Sequence, residues 1–339
     1  MPLDKTEEKY MFIKKLTALF ITVLMLCLVF SGCGSKKEKV LIYSSAEDYR
    51  IEALQKELNK KFPDYNIVIE YLSTGNHAAK LLAEGSEADC DIIHDLEYGY
   101  LSQLDSEGIL ADLSDYDRSI YTDDVNENGN GNYLVEIRSS GAIIINPELL
   151  KEKGLKEPKS YEDLLKPEYK GLISMPNPKA SSTGYMFLKS LVNAWGEKKA
   201  FAYFDSLTEN ILQYTSSGSG PVNALIQGEV AIGLGMTAQA VIEINNGSNL
   251  KVVFFEEGAP YSLYGQAIVS GKEKKTAVKE VFDYLIEEYN YRANEIFFPE
   301  KIYKDKDYTL KNYPKNIVYA DMSENTVKEK EALLEKWKY

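Results

Sequence analysis

The chain has 339 residues, 44% hydrophobic and 27% charged, the profile of a globular protein long enough for two lobes. Its formal net charge is -13, from 39 Lys+Arg against 52 Asp+Glu. That excludes a nucleic-acid binder, which needs a basic face, and excludes general attraction to anionic lipid. Any anion must be captured locally, against the field of the whole molecule.

Residues 1–32 read as a signal peptide and 33–38 as a lipidated tether. Lys14 and Lys15 precede an apolar run over residues 16–30, too short to span a bilayer comfortably and suited to a signal-peptide core. A single transmembrane anchor is the alternative. Ser31 and Gly32 before Cys33 look like a bacterial lipobox, in which Cys33 takes the lipid, although Phe30 stands where leucine is usual. Asp4, Glu7 and Glu8 are unusual ahead of a signal core, which makes Met11 a second candidate start. With Cys27 removed and Cys33 acylated, only Cys90 remains. No disulfide framework is expected, and Cys90, beside an apolar strand, reads as a buried inert thiol.

"KVLIYSS" (39–45) predicts a strand ending in hydroxyls. Ile51, Leu54, Leu58 and Phe62 then recur at helical spacing. "NIVIEYLSTG" (66–75) is a second strand, "HAAKLLAEG" a helix stopping at Gly85, and "CDIIHD" a third strand. "YLSQLDSEGILADLS" gives a helix and turn, and "DDVNENGNGN" (123–132) a loop. A strand pair is expected around Ser139 and Ser140, then a helix after Asn146-Pro147. Strand, proline-rich turn and helix follow in "KGLISMPNPKASSTGYMFLKSLVNAWG", and "KKAFAYFDSLTENI" is a helix. "QYTSSGSG" is a hydroxyl-rich turn ahead of the helix "PVNALIQG". Strand "EVAIGLG", helix "TAQAVIEINNG", and strands "LKVVFFEEG" and "GQAIVSG" come next. One long helix over "EKKTAVKEVFDYLIEEYNYRANEI" and a last one over "SENTVKEKEALLEKWKY" complete the pattern. Strand–helix alternation predicts an α/β protein with a parallel or mostly parallel sheet.

One motif recurs. Hydroxyl- and glycine-rich strand ends run into helix N-termini at "YSSAED", "LSTGNHAAK", "PKASSTGYMF", "TSSGSGPVNAL" and "GLGMTAQAV". Such ends offer unpaired N–H groups, a partial positive charge and hydroxyl donors, which suits phosphate, phosphonate or carboxylate. Ordinary helix capping is the plain alternative for any single stretch. Five of them at strand carboxyl ends point to a ligand crevice.

In order, the lipobox, "KVLIYSSAED", "IVIEYLSTGNHAAKL", "RSSGAIIIN", "KPEYKGLISMPNPKASSTGY", "ALIQGEVAIGLG" and "PYSLYGQAIVSG" resemble family 1 bacterial extracellular solute-binding proteins, the substrate-capturing lipoproteins of ABC importers. The similarity is greatest to the branch of ferric-ion, phosphonate and sugar-phosphate binders. It implies a two-lobed α/β fold of the periplasmic-binding-protein type II class, with a mixed sheet in each lobe and a hinge. Lobe 1 would be 39–137 plus about 262–320 and lobe 2 138–261, with 321–339 a C-terminal helix on either. It also implies no catalysis, no cofactor or metal, a monomer, an extracytoplasmic lipid-anchored location, and partnership with a permease and its ATPase.

Carried over by position, the ligand set is Ser44 and Ser45; Ser73, Thr74 and Gly75; Arg138, whose fork could clamp an oxyanion; Ser181, Ser182, Thr183 and Gly184; Ser217, Gly218 and Ser219; and Thr237, Gln239 and Tyr264. Glu47, Asp48, Glu256 and Glu257 are weaker candidates for an ammonium or sugar hydroxyl, and His77 for a ligand contact. His94 reads as structural. Ferric binders place paired tyrosines just after the strand that "EVAIGLG" resembles, where this chain reads Met236-Thr237-Ala238-Gln239; iron is therefore the weaker, alternative cargo, served by Tyr185, Tyr261 or Tyr264. A secreted phosphate-ester hydrolase using Ser217 is the remaining reading, and it lacks a nucleophile–base set.

Overall fold

The structure, a computed structural model, describes residues 37–128 and 131–339; the signal-peptide and lipobox readings lie outside them. β1 (Lys39–Ser44) and β2 (Asn66–Tyr71) run parallel, joined by α1 (Asp48–Lys61), which buries Leu54 and Leu58 one turn apart. α2 (Thr74–Glu84) leads to β3 (Ile92–Glu97), parallel to β1, and α3 (Tyr98–Ser106) follows. The expected loop at 123–132 contains a short helix, α4 (Asp123–Asn128). Its first turn carries Asp123 and Asp124, whose charges favour a helix start there.

The strand pair expected around Ser139 is a single strand, β4 (Leu134–Ile145), buried along its whole length. Its apolar content matches a strand covered on both faces. Beyond α5 (Pro147–Glu152), the chain builds β5 (Ile173–Pro176), α6 (Ser182–Trp195), α7 (Glu197–Leu207) and β6 (Ile211–Thr215). It continues through α8 (Gly220–Ile226), β7 (Ile232–Met236), α9 (Thr237–Asn245), β8 (Lys251–Val253) and β9 (Tyr261–Ile268). The long helix divides into α10 (Thr276–Tyr284), a π-helical turn at Leu285–Tyr289, and α11 (Asn290–Phe297).

Strand order is β2-β1-β3-β9-β4-β7-β5-β6, with β8 also on β4. β4 pairs antiparallel with β9 over Leu134–Ser140, then with β7 over Gly141–Ile145. One continuous strand therefore serves two mixed half-sheets, each with its own core. In the first, Val278, Val281 and Phe282 of α10 pack on Val40, Ile42 and Leu54. In the second, Ile173, Phe187, Phe204 and Leu234 pack together. The expected two-lobed α/β arrangement is present. Among the described residues no helix is long and apolar enough to cross a membrane. Cys90 is buried, and burial pushes its thiol pKa well up, so it is inert as expected.

The last forty residues tie the two cores together. Glu300 is buried and accepts hydrogen bonds from Ser140 N (3.2 Å) and Oγ (2.7 Å), and from the Tyr313 and Tyr319 hydroxyls (2.6 Å each). Those bonds fall where β4 passes from one half-sheet to the other. α12 (Val327–Lys336) is capped by Thr326, whose hydroxyl accepts from Glu329 N at 3.2 Å. It seats Leu333 and Trp337 in the second core, while Lys330 reaches Glu97 on β3 at 2.8 Å.

Candidate functional site

A cavity of about 220 Å³ is lined from both half-sheets. The first contributes Ser45, Glu47, Asp48, Tyr71, Ser73 and Thr74, and the second Ser181, Ser182, Thr183, Ser216, Ser217, Gly218 and Ser219. Ile137 and Ser139 of β4, with Asp95, Arg50, Met236, Tyr264 and Phe298, complete most of the wall. Most of the hydroxyls arrive there because they lie between a strand and the helix that follows it, while Ser139 comes from within β4: Ser45 follows β1, Ser73 and Thr74 open α2, and Ser181 to Thr183 open α6.

Two glycines permit the close packing behind this wall. A Cβ on Gly184 would lie 2.4 Å from the Pro176 carbonyl oxygen, so glycine lets α6 start hard against the end of β5. A Cβ on Gly218 would lie 2.3 Å from Thr183 Oγ1, so glycine lets the 216–219 turn close onto α6.

The cavity gathers Ser45, Ser73, Thr74, Ser181, Ser182, Thr183, Ser217, Gly218, Ser219 and Tyr264 from the sequence-predicted set. The others sit elsewhere. Ser44 is buried beneath it, its hydroxyl 2.8 Å from His94 Nδ1. Gly75 and Gly184 lie just inside their helices. Alternation along β4 turns Ile137 and Ser139 to the cavity and Arg138 away from it. Arg138 pairs instead with Asp124 and lies over the rings of Tyr261 and Tyr319 (5.3 and 4.9 Å to the centroids). Thr237 Oγ1 lies 2.9 Å from Ser140 Oγ, whose proton goes to Glu300, and Gln239 donates to Asn223 Oδ1 at 3.1 Å. Glu47 and Asp48 line the cavity; Glu256, Glu257 and His77 do not. Tyr185 donates to Asn325 Oδ1 at 2.9 Å, and Tyr261 meets Tyr319 edge to face.

Sequence reasoning missed the charged floor. Arg50, 5% exposed, pairs with Asp95, with Glu47 (3.2 Å) and with Glu136 (3.3 Å), and its guanidinium lies 4.6 Å from the centre of the Phe298 ring. Burial opposes the Arg50 charge, but these carboxylates outweigh it and hold its pKa above the ordinary value. Asp95 sits at a bulge between β3 and β9 with φ 54°, a left-handed conformation that aspartate tolerates better than most residues. Its pKa rises to about 6, chiefly through burial, with Arg50 pulling the other way. Burial also works against the Glu136 charge, but His94, 3.0 Å away, and Arg50 hold that carboxyl below its usual value. Burial raises the Tyr264 phenol far above its ordinary pKa, with Glu97 and Asp95 adding to the effect, so it remains protonated. Among the described residues no cluster of His, Cys, Asp and Glu is arranged to hold a metal ion.

Comparison with known proteins agrees with this architecture. The family model described as bacterial extracellular solute-binding protein matches residues 44–290. The structure is similar to the periplasmic binding protein P5PA, at 22% identity, covering 88% of this chain and 98% of that one, with a TM-score of 0.78. It is similar to AfuA from Actinobacillus pleuropneumoniae, a periplasmic binding protein solved with fructose-6-phosphate (24% identity, 89% and 98% covered, TM-score 0.74). It is also similar to iron-bound HitA from Pseudomonas aeruginosa (18% identity, 88% and 98% covered, TM-score 0.70). At such identities the structural likeness speaks to the fold, which is the type II periplasmic-binding-protein fold. With the family model spanning most of both lobes, the chain belongs to the bacterial extracellular solute-binding proteins, the extracytoplasmic ligand-capturing partners of ABC importers.

Proposed function

We propose that this protein is a lipid-anchored receptor that captures a small phosphate ester or phosphonate between its lobes and delivers it to a permease. The observation that carries this reading is the cavity wall, where ten serine and threonine side chains converge from both lobes. Hydroxyls and the N-termini of α2 and α6 give an oxyanion neutral donors from two sides, so a bound anion favours the closed form by differential contact. The lining holds Glu47, Asp48 and Asp95 against one cation, Arg50, which Glu47 and Asp95 already engage. The oxyanion therefore belongs at the hydroxyl wall, and the acidic end suits hydroxyls or an ammonium elsewhere on the same ligand. AfuA, solved with a sugar phosphate, is consistent with that class.

Iron, suggested by the likeness to HitA, fits less well. Of Tyr185, Tyr261 and Tyr264 only Tyr264 reaches the cavity, where the one other phenol is half-exposed Tyr71, so no adjacent tyrosine pair is presented to a hard cation. Hydrolysis fits poorly too: Ser217 shares a hydrogen bond with Ser219 (2.9 Å), and neither histidine lines the cavity to serve as its base.

The test is a thermal titration of the soluble domain with fructose 6-phosphate, 2-aminoethylphosphonate, inorganic phosphate and ferric citrate. A phosphorylated or phosphonate ligand should raise Tm, equivalent to about 2.7 kcal/mol at a hundredfold excess over Kd. Ser182→Ala and Ser217→Ala should each weaken that ligand by up to about tenfold, one hydrogen bond's share. Stabilisation by ferric citrate alone, with a visible tyrosinate band, would overturn the assignment of cargo.

A further inference from the structure

His77 is completely buried and stands outside the cavity; its ring meets the wall at Ser45, whose Oγ lies 2.9 Å from His77 Nδ1. Its other ring nitrogen, Nε2, is buried with no hydrogen-bond partner. This asymmetry selects between the two neutral tautomers. With the proton on Nε2, the fold would bury an N–H with no acceptor. With the proton on Nδ1, that N–H donates to Ser45 and only a lone pair goes unmet. Orphaned buried N–H groups are the rarer of the two in folded proteins. Burial, assisted by His94, lowers the His77 pKa to about 3, so the ring stays neutral at working pH.

The direction of this hydrogen bond matters for Ser45. An Oγ that accepts from His77 keeps its own O–H free, and that proton has the cavity to point into. The neighbouring serine is engaged below the cavity instead. Ser44 Oγ lies 2.8 Å from His94 Nδ1 and accepts from Ala46 N at 3.2 Å. Of the two adjacent serines, Ser45 is the one that lines the cavity and can turn its proton to the ligand.

We infer that His77 is a positioning residue that fixes Ser45 as a hydrogen-bond donor, so that this corner of the cavity selects a negatively charged oxygen. The inference rests on the oxyanion reading of the site. Nitrogen NMR of the wild-type imidazoles, without ligand, should find Nδ1 of His77 protonated and Nε2 bare; the reverse pattern overturns the inference. His77→Leu should weaken fructose 6-phosphate and inorganic phosphate by up to about tenfold. His77→Asn, which places an amide N–H near the Nδ1 position, should stay within about threefold of wild type by retaining that donor. Circular dichroism and Tm identify any variant that fails to fold. A folded His77→Leu that binds both probes as tightly as wild type also overturns the inference. If wild type binds neither probe nor 2-aminoethylphosphonate, the oxyanion reading falls, and the NMR pattern still decides where the proton sits.

Discussion

Replacing Arg50 by methionine is expected to destabilise the protein by about 3–5 kcal/mol, because breaking a buried ion pair leaves uncompensated charge behind. The side chain is 5% exposed and is shared by Asp95, Glu47 and Glu136. Methionine fills similar volume, so the loss reports on charge rather than on a void. The measurement is chemical denaturation at neutral pH: the midpoint should fall with the slope unchanged. A midpoint equal to wild type would mean that the three carboxylates do not depend on this guanidinium. The same network makes stability depend on pH through Asp95, whose folded pKa of about 6 lies above its ordinary value. Its contribution is complete below the ordinary carboxylate range and drains away as pH rises through about 6. Glu136, held below its usual pKa, has the opposite slope and loses its contribution as pH falls. Asp95→Asn isolates the first effect, since asparagine also tolerates the left-handed backbone. Wild type should therefore gain on Asp95→Asn as pH falls from 7 to 4; a pH-independent difference between them would count against the raised carboxyl.

Lys330→Met should have an effect of the same size, about 3–5 kcal/mol, for the same physical reason. Its ammonium, 6% exposed, lies 2.8 Å from Glu97, 2% exposed, and 4.2 and 4.7 Å from the ring centres of Tyr100 and Tyr185. Glu97 retains bonds from Ser262 Oγ (3.1 Å) and Gly99 N (3.3 Å), but without Lys330 it keeps a buried charge and no cation. Adding Glu97→Gln should recover most of the loss, because the neutral amide needs no counter-charge. A Lys330→Met variant within about 0.5 kcal/mol of wild type would place this contact among ordinary surface pairs. Lys189, fully buried and 2.8 Å from Glu329, backs the same helix from the second lobe.

The sequence made local features legible and hid those made by distant partners. The alternating elements from β1 to β3 follow from periodicity alone, and so do the hydroxyls at strand ends, since each sits between its own strand and helix. β6 was concealed because, as an edge strand with Leu212 half-exposed, it lacks an apolar run and merges into the serine turn after it. α4 was concealed by a tract whose asparagines and glycines read as coil. Arg138 looked like a ligand clamp because the strand's facing is set by its register with β9, which nothing near residue 138 encodes. The charged floor needed more still: Arg50 meets Asp95 across 45 positions and Glu136 across 86, and Asp95 is aimed by a bulge. The only local hint was an arginine interrupting a helix of otherwise ordinary amphipathic pattern.

β9 lies between β3 and β4 in space but follows both by well over a hundred residues in the chain. The amino-terminal lobe therefore has a gap at its centre until residue 268 has been made, and its covering helix α10 comes later still. A nascent polypeptide with this wiring has few early contacts worth their loop-closure entropy. It should leave the ribosome pliant and collapse late and slowly, which is the condition a protein needs to be threaded across a membrane before it folds.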